Sequence, residues 1–441
     1  MSDAQTKLPP GPKGRWLTTL SFMRDARSAL SQWAARYGDP FFVNVLNGPI
    51  VITGRPDLIG KIFGSDPRTF ESFAKDGLGP MLGNGSMLLL EGEPHRRERK
   101  LIMPMFHGKR MKSYAQSIEE LAAASFESNV DSGEVSMHDI TTRISLDVII
   151  RVLIGADPGS ATAGLVDDAQ QVIKYAKPIF IFSPKTQISF LGMMPWDRFL
   201  KARKKLRAGI GAEIDKREKD LEGREDILSM LLNACYEDGS AMDREHLFDE
   251  LGTFLFAGHE TSAVAMAWAV YSLLTHQEAL DRLVAELDGA NVSEPGELSK
   301  LPWLGAIVNE TLRLYPVVSD VLRILKEPME FDDFVVPAGH AVAAAISLMH
   351  FNEEVYPDPD RFNPQRFIDR SYDSSEYLPF GGGARRCAGA AFALYEMAIV
   401  LGTLFSRYKL ELKETAPVVP KRRNVTIGPS TGIRVAITRR T

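Results

Sequence analysis

Cys387 stands in a run that opens with Phe380, passes three consecutive glycines (Gly381, Gly382, Gly383) and two arginines (Arg385, Arg386), and closes on Gly389. An apolar stretch of helical spacing, 390–404, follows it. A thiol placed where a glycine-rich loop meets a helix N-terminus has free backbone N–H groups and the helix dipole to favour its thiolate. Beside arginines that can hold carboxylates, such a thiolate suits an axial ligand to heme iron. The alternative is a buried structural cysteine, the usual fate of an isolated one.

Three further groups of residues carry possible chemistry. Glu260 and Thr261 set a carboxylate beside a hydroxyl in an otherwise apolar stretch that includes Phe254, Leu255, Phe256 and Val264. An acid next to an alcohol can pass a proton into a dry pocket. The other reading is a threonine bonded back to its own helix and a glutamate at the surface. Gly258, inside the same helical pattern, costs about 1 kcal/mol relative to alanine. It therefore predicts a close approach to the backbone or a local widening of the helix. Glu310 and Arg313, three apart, share a helix face and can form a fork-type ion pair, with Arg366 as a third member. Their neighbours Ile307, Val308, Leu312 and Leu314 point to partial burial rather than a solvated surface pair. His95 and Arg99, four apart, either hold an anionic group together or begin a basic surface helix. No second histidine or carboxylate stands at a spacing that makes His95 a metal ligand.

These groups need elements to position them. Apolar spacing predicts helices over 114–130, 141–154, 196–221, 226–236, 277–287 and 303–315, the last stopped by Pro316. The longest, 242–275, with Asp243 as its cap, would span about 50 Å. Asn47-Gly48 between the runs 40–46 and 49–53 predicts a hairpin. Short strands are expected over 329–336, 341–346, 408–412 and 433–438. The pattern is mainly α with small β-sheets near the two ends.

Composition narrows the class. With 44% apolar and 25% charged residues, the 441-residue chain reads as an ordinary soluble globular protein. No linker, repeat or low-complexity run divides it, so a Pro-rich lead over 1–12 and one unit over 13–441 are expected. A net charge of −5 gives no case for nucleic acid. Two cysteines, Cys235 and Cys387, exclude a disulfide framework and fit a reducing cytoplasm. The N-terminus has no apolar signal core and no long apolar run, so no membrane anchor is expected.

The order of these groups along the chain carries a resemblance. Phe380, Gly383, Arg385, Cys387 and Gly389 match the FxxGxRxCxG heme-binding signature of the cytochrome P450 superfamily. Residues Ala257 to Thr261 match its oxygen-activation motif, Glu310 and Arg313 its ExxR motif, and Arg366 falls where the third charged residue belongs. From about residue 10 onward the sequence resembles a soluble, bacterial-type member. One departure is Gln365, where the family often has glutamate.

The resemblance implies a fold with heme b held between a long central helix and a proximal cysteine loop, and O2 as co-substrate. It implies Cys387 as the metal ligand, with Phe380, Gly381 and Gly389 in the cofactor's surroundings. His95, Arg99, Arg323 and Arg385 would hold the two propionates. Thr261 and Glu260 would deliver protons, and Ala257 and Gly258 would lie over the heme, Gly258 leaving room for oxygen and substrate. Glu310, Arg313 and Arg366 would be structural. The implied reaction is insertion of one oxygen atom from O2 into a hydrophobic small molecule: a fatty acid, terpenoid, steroid or polyketide. The apolar candidates for its pocket are Met81, Leu82, Met87, Leu88, Leu89, Phe254, Val317, Val318, Val321 and Ile427, with Ser319, Asp320 and Thr431 as polar exceptions. No flavin or nicotinamide fingerprint is present. Electrons are therefore expected from a ferredoxin or flavodoxin with its NAD(P)H-dependent reductase. Arg96, Arg97, Lys100, Lys109, Arg110 and Arg386 form a candidate basic patch for that partner. Glu260 and Thr261 weigh against a peroxygenase or a heme-thiolate isomerase. The full motif set weighs against a non-catalytic heme sensor.

Overall fold

The helix Arg244–Thr275 runs through the middle of the molecule. The computed structural model describes residues 7–73, 75–155, 163–219, 221, 223–423 and 425–440. Asp243 caps the long helix as its sequence predicts, its carboxylate accepting the His246 N–H at 2.9 Å. From Ser262 to Leu273 every residue is buried, so this part has no solvent face and must be covered all round. Alanines at 263, 265, 267 and 269 let neighbours come close. Met137–Ile154 packs along one side and Ala390–Arg407 along another. That last helix is apolar and long enough to span a bilayer, yet two thirds of it is buried in the protein. Trp268 stacks flat on Tyr315 at 3.9 Å and so ties the long helix to the end of Pro302–Leu314.

Helix ends match the sequence to within a few residues. Asp226 and Ser136 act as N-caps for Ile227–Asn233 and Met137–Ile154. The stretch expected to run to 221 is Pro195–Arg217. The 114–130 pattern is Lys109–Glu127.

A five-stranded sheet flanks the helices in the order Phe41–Val45, Gly48–Thr53, Ala341–Ala345, Asp320–Leu325, Phe70–Glu71. The expected hairpin is present one residue early: Val45 pairs with Gly48 across Leu46-Asn47. Gly48 takes φ 123°, a conformation that the missing Cβ allows. The expected strand over 329–336 is two strands, Met329–Phe331 and Phe334–Val336, folded on each other. Asp320–Leu325 and the hairpin Pro420–Arg423/Thr426–Pro429 were not expected. The Pro-rich lead docks on the sheet side: the Pro10 carbonyl accepts from Phe42 N–H at 2.9 Å, and the Lys7 carbonyl from Val335 N–H at 2.9 Å. Its first six residues lie outside the described ones.

Candidate active site

The Cys387 loop is shaped by its glycines. Gly381 and Gly383 take φ 62° and 64°, in the left-handed region. A Cβ on Gly382 would sit 2.1 Å from the Phe63 ring, and one on Gly383 2.3 Å from the Phe63 carbonyl oxygen. The loop therefore packs against Phe63 only as glycine. Cys387 N–H donates to the Phe380 carbonyl at 2.9 Å, closing the loop, and Gly389 caps Ala390–Arg407. The Cys387 thiol is open to solvent on one side and walled by protein on the others. That enclosure pushes the thiol up, while the Gly389 N–H, Arg99 and Arg386 pull the other way. A single open side still leaves the sulfur mostly desolvated.

Four cationic or basic groups converge beside this loop from three elements. His95 and Arg99 come from Gly92–Ile102, Arg323 from the strand Asp320–Leu325, and Arg385 from the loop itself. His95 is 5% exposed. Burial, then Arg385, Arg99 and Arg323, push it down to about 4. Arg323 falls to about 10 through burial and then Arg385. Burial also lowers Arg99 and Arg385. None of the three arginines forms an ion pair with a carboxylate among the described residues. Arg323 donates to the Leu322 carbonyl at 2.8 Å, and Arg385 to the carbonyls of Leu88 and Leu90. Glu91 lies near enough to Arg385 to oppose its burial, but guanidinium groups held partly buried without an ion-paired carboxylate fit an anionic ligand. Together with a glycine-shaped thiol, they fit the two carboxylates and the iron of heme.

The Glu260–Thr261 pair divides between its two readings. Thr261 does bond back to its helix, donating to the Ala257 carbonyl at 2.8 Å. Its oxygen keeps lone pairs that can accept. Glu260 is not left at the surface: it accepts from the Thr426 hydroxyl at 3.0 Å, in the C-terminal hairpin. Ala257 and Thr261, four apart, share the more open face of the long helix. Gly258 serves a close approach, but of protein. A Cβ there would meet Ile149 at 3.1 Å. Ile149 packs on the side where a side chain at position 258 would project.

Glu310, Arg313 and Arg366 form the expected cluster, with Glu310 and Arg313 both fully buried. Arg313 donates to Glu310 at 2.7 and 2.8 Å, and Arg366 at 3.1 Å. The structure adds His350, which gave no sequence signal. Arg313 donates to the His350 carbonyl at 2.8 Å. Burial and then Arg313 push His350 down to about 3, so it is neutral. Its Nε2 accepts from Leu378 N–H at 2.9 Å, leaving Nδ1 to donate to the Arg313 carbonyl at 3.0 Å. His350 thus links the charge cluster to the start of the cysteine loop.

The pocket candidates separate. Met81 and Leu82 line an apolar cleft with Phe199, Leu206, Leu255 and Phe256. Cys387, Thr261 and Glu260 are not among the residues lining that cleft. Val317 accepts from Ile427 N–H at 2.7 Å, which ties the C-terminal hairpin to the strand carrying Arg323. Val318 and Val321 pack near Phe63, and Val321 lies 3.4 Å from where a Gly381 Cβ would be. Asp320 is raised by burial, with the Ser319 hydroxyl and Arg422 opposing. Leu88 is exposed and Met87 is buried. Phe254 turns into the core, edge-on to Phe106 at 5.5 Å. The basic patch is largely neutralised by neighbours. Arg96 pairs with Glu93 at 2.6 Å, Arg97 with Asp238 at 2.9 Å, Arg110 with Glu225 at 3.6 Å, and Lys100 with Glu237. Arg386 is exposed with no ion pair among the described residues; the Lys109 side chain lies outside them.

Comparison with known proteins agrees with this geometry. The family model described as Cytochrome P450 matches residues 9–435. A Mycobacterium tuberculosis protein named cytochrome P450 135B1 is 34% identical over 98% of this chain and 91% of its own. Another from that organism, named cytochrome P450 138, is 33% identical over 98% and 97%. Two solved structures share the fold: a retinoic acid-bound cyanobacterial CYP120A1 (TM-score 0.87, 24% identity, 99% and 100% covered) and a cytochrome P450DA heme domain (TM-score 0.86, 21% identity, 98% and 98%). Family match, identity along nearly the whole length and a thiol loop set among unpaired arginines converge: the chain belongs to the cytochrome P450 family of heme-thiolate monooxygenases.

Proposed function

We propose that this protein inserts one atom of O2 into a hydrophobic small molecule of the fatty acid, terpenoid, steroid or polyketide kind. Its electrons come from a ferredoxin or flavodoxin with an NAD(P)H-dependent reductase, in the cytoplasm. The observation that carries the reading is the convergence on the cysteine loop of three arginines, Arg99, Arg323 and Arg385, and the imidazole of His95, with no ion-paired carboxylate among the described residues.

Heme, when bound, supplies the redox and oxygen-activating chemistry. Cys387 would hold its iron, and the positive metal would supply the charge that the desolvated thiol lacks. The Gly389 N–H would bond the sulfur and temper its donation. The three arginines and His95 would hold the carboxylates and fix the plane. Glu260, held by Thr426, is the proton reservoir, and the free lone pairs of Thr261 receive and orient a proton or water on the open helix face. The cleft with Met81, Leu82 and Phe199, which Arg203 and Arg207 also line, would offer a mostly apolar wall to a substrate. Since most of the basic patch is already paired, partner docking should rest on Arg386 and the surface over the loop, with a shallow salt dependence.

The reduced, carbon monoxide-bound optical spectrum tests the ligand. The parent should show the strongly red-shifted Soret band of a thiolate-bound heme, and Cys387→Ser should lose it while staying folded. A parent without that band would sink the assignment. Thr261→Ala should keep the band and reduce product formed per O2 consumed.

A further inference from the structure

Away from the cysteine loop, three metal-binding side chains meet in the interior. Glu98 projects from Gly92–Ile102, while His246 and Glu250 lie one turn apart at the start of the long helix. Glu98 is 1% exposed and Glu250 0%. His246 Nε2 is 3.3 Å from Glu98 Oε2 and 4.0 Å from Glu250 Oε1, and the three groups offer ligand atoms all within 4.8 Å of one another. The Tyr236 hydroxyl donates to Glu98 Oε2 at 2.8 Å, and Met87 N–H donates to Glu250 Oε1 at 2.6 Å. Glu98 Oε1, Glu250 Oε2 and His246 Nε2 are buried with no hydrogen-bond partner. No lysine or arginine forms an ion pair with either carboxylate among the described residues.

Such an arrangement is expensive as it stands, because buried polar atoms need partners and two facing carboxylates need a counter-charge. One divalent cation would meet both needs at a single point. We infer that Glu98, His246 and Glu250 form a binding site for a divalent transition-metal cation, with Zn2+ the best chemical match. One imidazole nitrogen and two carboxylates are a familiar zinc donor set. Tetrahedral ligands about 2 Å from zinc lie roughly 3.3 Å apart, the spacing that Glu98 and His246 already have. Calcium asks for six or more oxygens, and magnesium for an oxygen octahedron; neither matches a nitrogen and two carboxylates. The bound ion would clamp the helix that carries His95 and Arg99 to the first turns of the helix that carries Glu260 and Thr261. Its role is structural, and it stands independently of the proposed substrate and partner.

The test uses tag-free, heme-loaded protein stripped with EDTA and returned to metal-free buffer. Titration with Zn2+ by calorimetry should show one saturable equivalent per chain, and excess Zn2+ should raise Tm by several degrees. His246→Asn and Glu250→Gln should each weaken binding about tenfold or more. His107→Asn, at an exposed histidine outside the cluster, should leave it unchanged. If Glu250→Gln does not fold, His246→Asn, the least buried of the three, decides alone. No saturable binding by folded parent would overturn the inference and leave a shared proton as the cluster's solution. Binding that His246→Asn and Glu98→Gln leave intact would overturn it as well.

Discussion

Two buried charge clusters, one around Glu310 and one around Cys387, are built on opposite plans. Around Glu310, every charged group has hydrogen-bond partners: two arginines share one carboxylate, and carbonyls of His350 and Pro357 take remaining guanidinium N–H groups. Around Cys387, Arg99, Arg323 and Arg385 form no ion pair with a carboxylate among the described residues. The first cluster is complete as folded and can only be architecture. The second is incomplete until something anionic enters, and that incompleteness is what marks a binding site. Glu98, His246 and Glu250 are the same situation with the sign reversed.

The difference can be broken most severely at Arg313. Arg313→Ala would take from Glu310, at zero exposure, its bidentate partner and leave only Arg366 and the Asn363 N–H, a loss of about 3–5 kcal/mol. Denaturant unfolding, or simply the yield of folded protein, would show it. Parent-like stability would mean the cluster is not a closed unit.

Glu396 sharpens the comparison as a third outcome, a buried acid with neither counter-ion nor ligand. It lies on the helix after Cys387, and burial pushes it up to about 7. Ser262 and Ser145 stand close enough to pull it partway back, but neither makes a well-formed hydrogen bond to its oxygens. A carboxyl raised in the fold binds its proton more tightly there than in the unfolded chain. Its stabilisation is therefore full below about 4.5 and is lost as pH rises through about 7. Glu396→Gln should remove that slope, worth roughly 3 kcal/mol across the window. His95 and His350 work the other way: both are depressed, so their contribution is lost as pH falls from 6.5 towards about 4 and about 3. Subtracting the variant's pH–stability curve from the parent's isolates Glu396.

A smaller effect separates the two plans directly. Arg99→Gln or Arg323→Gln should leave the heme-free chain as stable as the parent or slightly more so, because like-charge repulsion is relieved. The same change should weaken heme retention about tenfold, the worth of one charge-assisted hydrogen bond. Heme transfer to an acceptor protein measures it. Equal destabilisation of the heme-free chain would show that these arginines are architecture too. The smallest effect is expected at Thr426→Val. Loss of the Thr426 hydroxyl bond to Glu260 should cost about 1 kcal/mol of unfolding free energy and shift product per O2 only modestly.

Much of this site was legible because its chemistry is local in sequence. Glycines and cysteine within ten residues specify a loop whatever surrounds them. Glu310 and Arg313 meet through helix geometry alone. The C-terminal hairpin was not legible: Pro420–Arg423 and Thr426–Pro429 show no apolar alternation, and Glu260 lies 166 positions from the threonine that holds it. His350 was missed because a lone histidine beside Met349 and Phe351 reads as core. The edge-on contact of Phe254 with Phe106 was not legible either, because helical spacing names the residues of a helix but not the distant ring that one of them meets.

The order of chemical groups along this chain, the caps of its helices and the family they resemble follow from sequence, since short-range sterics and hydrogen bonding decide them. Which charges are balanced and which are left open does not. A guanidinium looks the same in sequence whether a carboxylate or nothing lies across from it. Only packing from distant parts of the chain decides that, because the energy of a buried charge depends on everything within a few ångströms of it.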